Sequence, residues 1–221
     1  MTASGTGSPT PASAQGTIPP AALARCFAAA PPGKLFCLHG NTRGVFRLSL
    51  YAASSVLRRG IPVALVDGTN RFDLYYLAGI ARRMAGGRVR PEDLLRNIHV
   101  ARAFTCYQME ATITERLPAF VERTGAPVAV VFGLLDTFYD DQAPFFEVRH
   151  SVRRILAALD ALRRRNVAVL LASRDVKPAS VERRSLFPAL AGRMDEVFML
   201  TAGEAGTALT RARALHPGRE A

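Results

Sequence analysis

Long apolar runs are missing from this chain. No stretch approaches the roughly 20 uninterrupted apolar residues that a membrane-spanning helix needs, and the N-terminus has no charged segment followed by an apolar core. A membrane partner is therefore not expected, and the sequence reads as cytoplasmic. Cysteine is scarce. Cys26, Cys37 and Cys106 are an odd number at wide spacing, with no CxxC pair and no neighbouring histidine set, so neither a disulfide framework nor a zinc site is expected. His99, His150 and His216 show no partner spacing for catalysis or metal binding, and no Ser/His/Asp or Cys/His arrangement stands out. Lysine is almost absent too: only Lys34 and Lys177 stand among the 29 basic residues, an arginine bias that a GC-rich genome also produces.

What the chain does have is enough apolar matter for a core and a strong positive balance. With 221 residues and 49% hydrophobic content it suits one large domain. The formal net charge of +11 attracts polyanions before any specific contact forms, which makes nucleic acid the leading expected partner, with compositional background as the alternative. Residues 1–21 are rich in Ser, Thr, Gly, Ala and Pro and end in Pro19-Pro20, a composition expected to form a flexible tail. Residues 22–221 then form the expected core domain, without internal repeats.

From Lys34 short apolar runs alternate with amphipathic stretches, the pattern of a mostly parallel sheet covered by helices, hence an α/β three-layer fold. LFCLHG (35–40), PVALVD (62–67), NIHVARAF (97–104), VAVVF (128–132) and VAVLLAS (167–173) read as strands. DEVFML (195–200) and GTALTRA (206–212) read as late strands at the sheet edge. Helices are expected over 47–59, stopped by Gly60, over 73–85, from Pro91, over 107–123 with an interruption near Pro118, and over 147–165.

In this order the segments resemble the ATPase core of the RecA/RadA-type recombinases, over roughly Lys34 to the C-terminus. NIHVARAFTCYQ (97–108) is similar to that family's NI-x-x-ARAY…Q segment, and VALVDGTNRFDLYYLAGIARR (63–83) to its strand, acidic turn and following helix. VAVVF and VAVLLAS take the places of the second signature strand and the strand before the second DNA-binding loop. The small N-terminal DNA-binding domain of many recombinases has only the tail in its place. The resemblance implies a RecA-like sandwich and a phosphate-binding loop at His39-Gly40-Asn41-Thr42-Arg43-Gly44-Val45-Phe46.

That loop is degenerate. The pattern G-x-x-x-x-G-K-[S/T] needs a lysine to reach phosphate oxygens and a hydroxyl to hold magnesium, whereas Val45 and Phe46 stand there. By the same resemblance Thr69 replaces the acidic residue that polarises water, and Phe132 replaces the aspartate that assists magnesium. Phosphoryl transfer depends on these parts, so ordinary ATPase activity is not expected and no cofactor is required. Residual binding of ATP with magnesium stays open through Arg43 or Arg47 and the helix start near Val45. The alternative is a tight turn with Phe46 and Leu48 filling the nucleotide's space.

Four further features are candidates. Asp136, Asp140 and Asp141, with Asp67, could gather around a divalent ion, or serve as caps and solvated turns. Arg174, Lys177, Arg183 and Arg184 fall where the family places a DNA-contacting loop, and would hold phosphates without reading sequence. Arg149, Arg153, Arg154 and Arg163 to Arg165 read as a solvated helix face. Phe27-Ala28-Ala29-Ala30 resembles the motif by which recombinase subunits plug into their neighbours, or is linker. The expected function is a catalytically degenerate RecA-like protein assisting DNA repair or recombination, with DNA, a recombinase or a repair polymerase as partner. The alternatives are an enzyme using a non-standard cleft, for a nucleotide or a phosphorylated small molecule, and a homo-oligomeric or other assembly subunit.

Overall fold

The computed structural model describes residues 15–29, 32–84, 90–203 and 206–212. Among the described residues eight strands form a single mixed sheet in the order β1-β8-β7-β2-β6-β5-β3-β4, and helices cover both of its faces. The strands are β1 (Gln15–Ile18), β2 (Leu35–Gly40), β3 (Val63–Asp67), β4 (Ile98–Arg102), β5 (Val128–Phe132), β6 (Ala168–Arg174), β7 (Glu196–Gly203) and β8 (Gly206–Ala212). From β4 through β3, β5, β6 and β2 to β7 every pairing is parallel; β8 then pairs antiparallel with β7, and β1 with β8.

The central strands are apolar throughout because each is buried on both faces. Side chains alternate along a strand, so Phe36, Leu38, Val130, Phe132 and Leu170 join one core, while Leu35, Cys37, Val131 and Leu171 join the other. The first core packs under α1 (Pro20–Ala28), α2 (Gly44–Leu57), α3 (Leu74–Met84) and α4 (Pro91–Asn97). The second packs under α5 (Cys106–Ala111), α6 (Leu117–Thr124), α7 (Phe145–Arg164) and α8 (Leu186–Ala191). Burial pushes the Cys37 thiol up to about 12, in keeping with a packing role.

Between α5 and α6 the expected interruption takes the form of a π-helical stretch, Thr112–Arg116. Its cause is Pro118 in the first turn of α6: a proline ring clashes with the carbonyl four residues back, and a widened turn relieves the clash.

Three expectations need correction. The tail was expected to reach residue 21, yet Gln15–Ile18 is a strand and α1 begins at Pro20; residues 1–14 lie outside the described residues. Because β1 is added beyond β8, the late strands are not the edge: β7 sits between β2 and β8. Phe27, considered as an intersubunit plug, is fully buried in α1 and meets Phe36 edge-on at 6.0 Å, so it is neither plug nor linker. Among the described residues no helix is long and apolar enough to cross a membrane.

Candidate functional site at the strand carboxyl ends

In open α/β sheets, ligands bind outside the carboxyl ends of parallel strands, where neighbouring strands send their connections to opposite faces. Here β2 leads into α2 on one face while its neighbour β6 leads towards α8 on the other. The crevice they open is bordered by the turn after β2 and by the segment after β6.

The stretch His39 to Phe46 runs from the end of β2 through a tight turn at 41–43 into the first residues of α2. Gly40 is required by close packing, since a Cβ there would lie 1.9 Å from the Leu200 carbonyl oxygen on β7. Asn41 Oδ1 accepts from the Ala202 N–H at 3.0 Å and anchors the turn to β7. The N–H groups after the turn are bonded within it. Gly44 donates to Thr42 Oγ1 at 3.2 Å, Val45 to the Thr42 carbonyl at 3.3 Å and Phe46 to the Arg43 carbonyl at 3.3 Å. Val45, Phe46 and Leu48 are buried, and the Phe46 ring packs on Phe132 with centroids 5.1 Å apart.

Asp67, at the end of β3, is fully buried and organises the next turn. Its Oδ1 accepts from the N–H groups of Thr69 and Arg71, each at 3.1 Å, and its Oδ2 from Phe72 N–H at 2.9 Å. The Thr69 hydroxyl leans on the same Oδ1 at 3.4 Å. The turn is pressed against Gly133, where φ is +60° and an added Cβ would overlap Thr69 Cγ2 at 2.0 Å. Asp67 is thus a turn organiser rather than a free ligand.

The other acidic candidates are separated. Asp136 lies in the 3-10 turn Leu135–Phe138 and pairs with Arg174 Nη2 at 3.5 Å. Burial raises its pKa, opposed by the Arg174 charge, and its Oδ2 is buried without a hydrogen-bond partner, as is Arg174 Nε. Asp140 accepts from the Gln142 N–H at 3.1 Å, and Asp141 pairs with Arg183 Nε at 3.0 Å. Among the described residues no group of three or more His, Cys, Asp or Glu side chains comes together to hold a metal ion.

The four basic candidates also divide. Arg183 is only 3% exposed and donates to the carbonyls of Phe138 and Ala143 besides pairing with Asp141. It staples the segment after β5 to the one after β6 and is withdrawn from any phosphate, which corrects the expectation that it contacts DNA. Arg174 is half-buried through its pairing with Asp136, while Lys177 and Arg184 are exposed.

Those three line a pocket of about 420 Å3 together with His39, Tyr139 and Phe187. The His39 ring packs on Phe187 at 4.7 Å; burial lowers its pKa, and Asp175 opposes the shift. Burial, reinforced by Asp136, pushes the Tyr139 hydroxyl up to about 12. A second crevice of about 680 Å3 lies between the start of α2 and the turn after β3, lined by Arg43, Arg47 and Arg71. Arg47 stacks over Tyr76 at 5.3 Å. Both recesses present cationic groups suited to anions.

Sequence reasoning missed the Asp136–Arg174 pair. Its signal was an acid after β5 and a base at the end of the adjacent β6. It also missed the buried Glu110, which Ser151 and Arg154 hold from α7. His99 stacks on Phe120 at 4.8 Å, and His216 lies outside the described residues. No protein-family model matches the chain, and none of the curated proteins matches it.

Proposed function

We propose that this chain is a RecA-like protein without ATP hydrolysis that assists DNA repair or recombination in the cytoplasm, by binding DNA, by docking onto a recombinase or repair polymerase, or both. The observation that carries the reading is the pairing of Phe46 with Phe132. By the resemblance these two positions hold the magnesium-binding hydroxyl and aspartate, and here two apolar rings fill the space between them. Support comes also from the succession of strand, glycine-containing turn and helix at β2 and α2, and from the parallel run β4 to β7. DNA contact falls to the exposed Lys177 and Arg184, with Arg174 beside them, on a chain of net charge +11.

The test is fluorescence anisotropy with labelled single- and double-stranded DNA across a salt series, with and without ATP and magnesium. Binding that weakens steeply with salt and ignores ATP is the expected outcome. Absence of binding at low salt overturns the DNA role. A second reading, a phosphorylated small-molecule ligand, is favoured by Arg43, Arg47 and Arg71 around the second crevice. Calorimetry without heat from any nucleoside triphosphate with magnesium counts against its nucleotide form.

A further inference from the structure

Outside the two crevices described above, α5, which follows β4, and the first half of α7, which follows β5, line a recess of about 500 Å3. Three contacts fix its shape. The Tyr107 hydroxyl donates to Glu147 Oε2 at 2.6 Å, and the buried Glu110 accepts from Ser151 and pairs with Arg154. Glu110 is thereby neutralised. Arg149 and Arg153, one helical turn apart on the exposed side of α7, have no carboxylate within ion-pair range among the described residues. Two guanidiniums without an ion pair, that of Arg149 lying over the Phe145 ring at 6.0 Å, therefore share the recess with one remaining carboxylate, Glu147, and with His150. Into the same recess project two aromatic rings that the fold leaves in water: Phe146 is 72% exposed and Tyr107 54%.

We propose that this recess docks an acidic peptide segment of a partner protein. An apolar anchor side chain seats between Tyr107 and Phe146, and flanking carboxylates pair with Arg149 and Arg153. Aromatic and arginine side chains are the residue types that dominate binding energy at protein interfaces, and a recess already held in shape costs little ordering on binding. Charge complementarity selects an acidic segment. A nucleic-acid strand fits less well, since it needs a continuous basic track and Glu147 interrupts one here. The inference is independent of the DNA reading, which rests on the segment after β6, none of whose residues lines this recess.

The experiment is selection of a random-peptide display library on the full chain, followed by anisotropy with the enriched peptides. The enriched sequences should carry a large apolar residue flanked by Asp or Glu. Their affinity should fall by at least about tenfold in Phe146→Ala and in the Arg149→Glu/Arg153→Glu double variant, and stay unchanged in Lys177→Glu. All these positions are exposed, and unchanged thermal melts establish that the variants fold. The proposal is overturned if no acidic consensus emerges, or if the enriched peptides ignore both groove variants. It is equally overturned if Phe146→Ala weakens a labelled single-stranded oligonucleotide and spares the peptides, which assigns the recess to nucleic acid.

Discussion

Phe46, in the first turn of α2, and Phe132, the last residue of β5, meet at an interplanar angle of 53°. Neither ring suits its place without the other. An aspartate facing Phe46 would be a carboxylate buried against a ring, and a small hydroxyl facing Phe132 would leave a void.

Phe46→Ala should therefore destabilise the protein by about 3–5 kcal/mol in urea unfolding, the usual cost of deleting a buried phenylalanine ring. A double-mutant cycle with Phe132→Ala should show a coupling on the order of 1 kcal/mol. Additivity within error would mean that the rings fill separate spaces. Placing a hydroxyl there by Phe46→Thr should bring no ATP hydrolysis, because the N–H groups of the turn remain bonded to Thr42 and Arg43.

Two groups near the carboxyl ends of β2 and β5, His39 and Asp136, respond to pH in opposite senses. Burial lowers the pKa of His39 from 6.5, so the folded chain holds a neutral ring where the unfolded chain takes up a proton. Stability from this group is present above pH 6.5 and is lost as pH falls through the lowered folded value. Proton NMR of the imidazole should show a midpoint below 6.5. Asp175→Asn should lower that midpoint further, since Asp175 is the charge that opposes the shift. An unmoved midpoint would show that Asp175 and His39 do not interact.

Asp136 has the opposite sign. Its folded pKa is raised above 3.8, so the folded state holds the proton more tightly, and stability from this group falls as pH rises from 3.8 through the folded value. Arg174→Met removes the opposing cation and should steepen that fall; Asp136→Asn should abolish it. Chemical-denaturation midpoints across the acid range measure both. Identical pH profiles for all three proteins would place the pair outside the folding equilibrium.

The strands were legible because burial on both faces leaves an unbroken apolar run, as in β5, where the expected and observed limits coincide at 128 and 132. The start of α2 was less legible. Gly44, Val45 and Phe46 have modest helix propensity, so the pattern begins only at Arg47, while the structure carries the helix back to Gly44. β1 was illegible for a different reason: its Gln-Gly-Thr-Ile stretch is a strand only because β8 offers an edge to pair with, and local composition carries no record of a distant partner. Of the candidate site, the turn after β2 could be read residue by residue. The inward direction of Arg183 could not. The 3-10 turn Glu182–Ser185 aims it at carbonyls of residues 138 and 143, forty residues and more away in the chain.

That direction separates two neighbours that look alike in sequence, and it yields the sharpest test of the DNA reading. Arg183→Ala strips two buried carbonyls and Asp141 of a charged donor and should cost about 3 kcal/mol of stability, with no change in the salt dependence of DNA binding when measured well below its melting temperature. Arg184→Ala and Lys177→Ala remove exposed charges and should leave stability within about 0.5 kcal/mol. Each should lower DNA affinity for all sequences alike and reduce the slope of log affinity against log salt by about 1, as expected for one lost phosphate contact. If all three variants bind DNA as the unmodified chain does, the segment after β6 is an ordinary solvated loop. If Arg183→Ala alone loses binding in proportion to its loss of fold, the staple is required for the loop's shape and the loop for the contact.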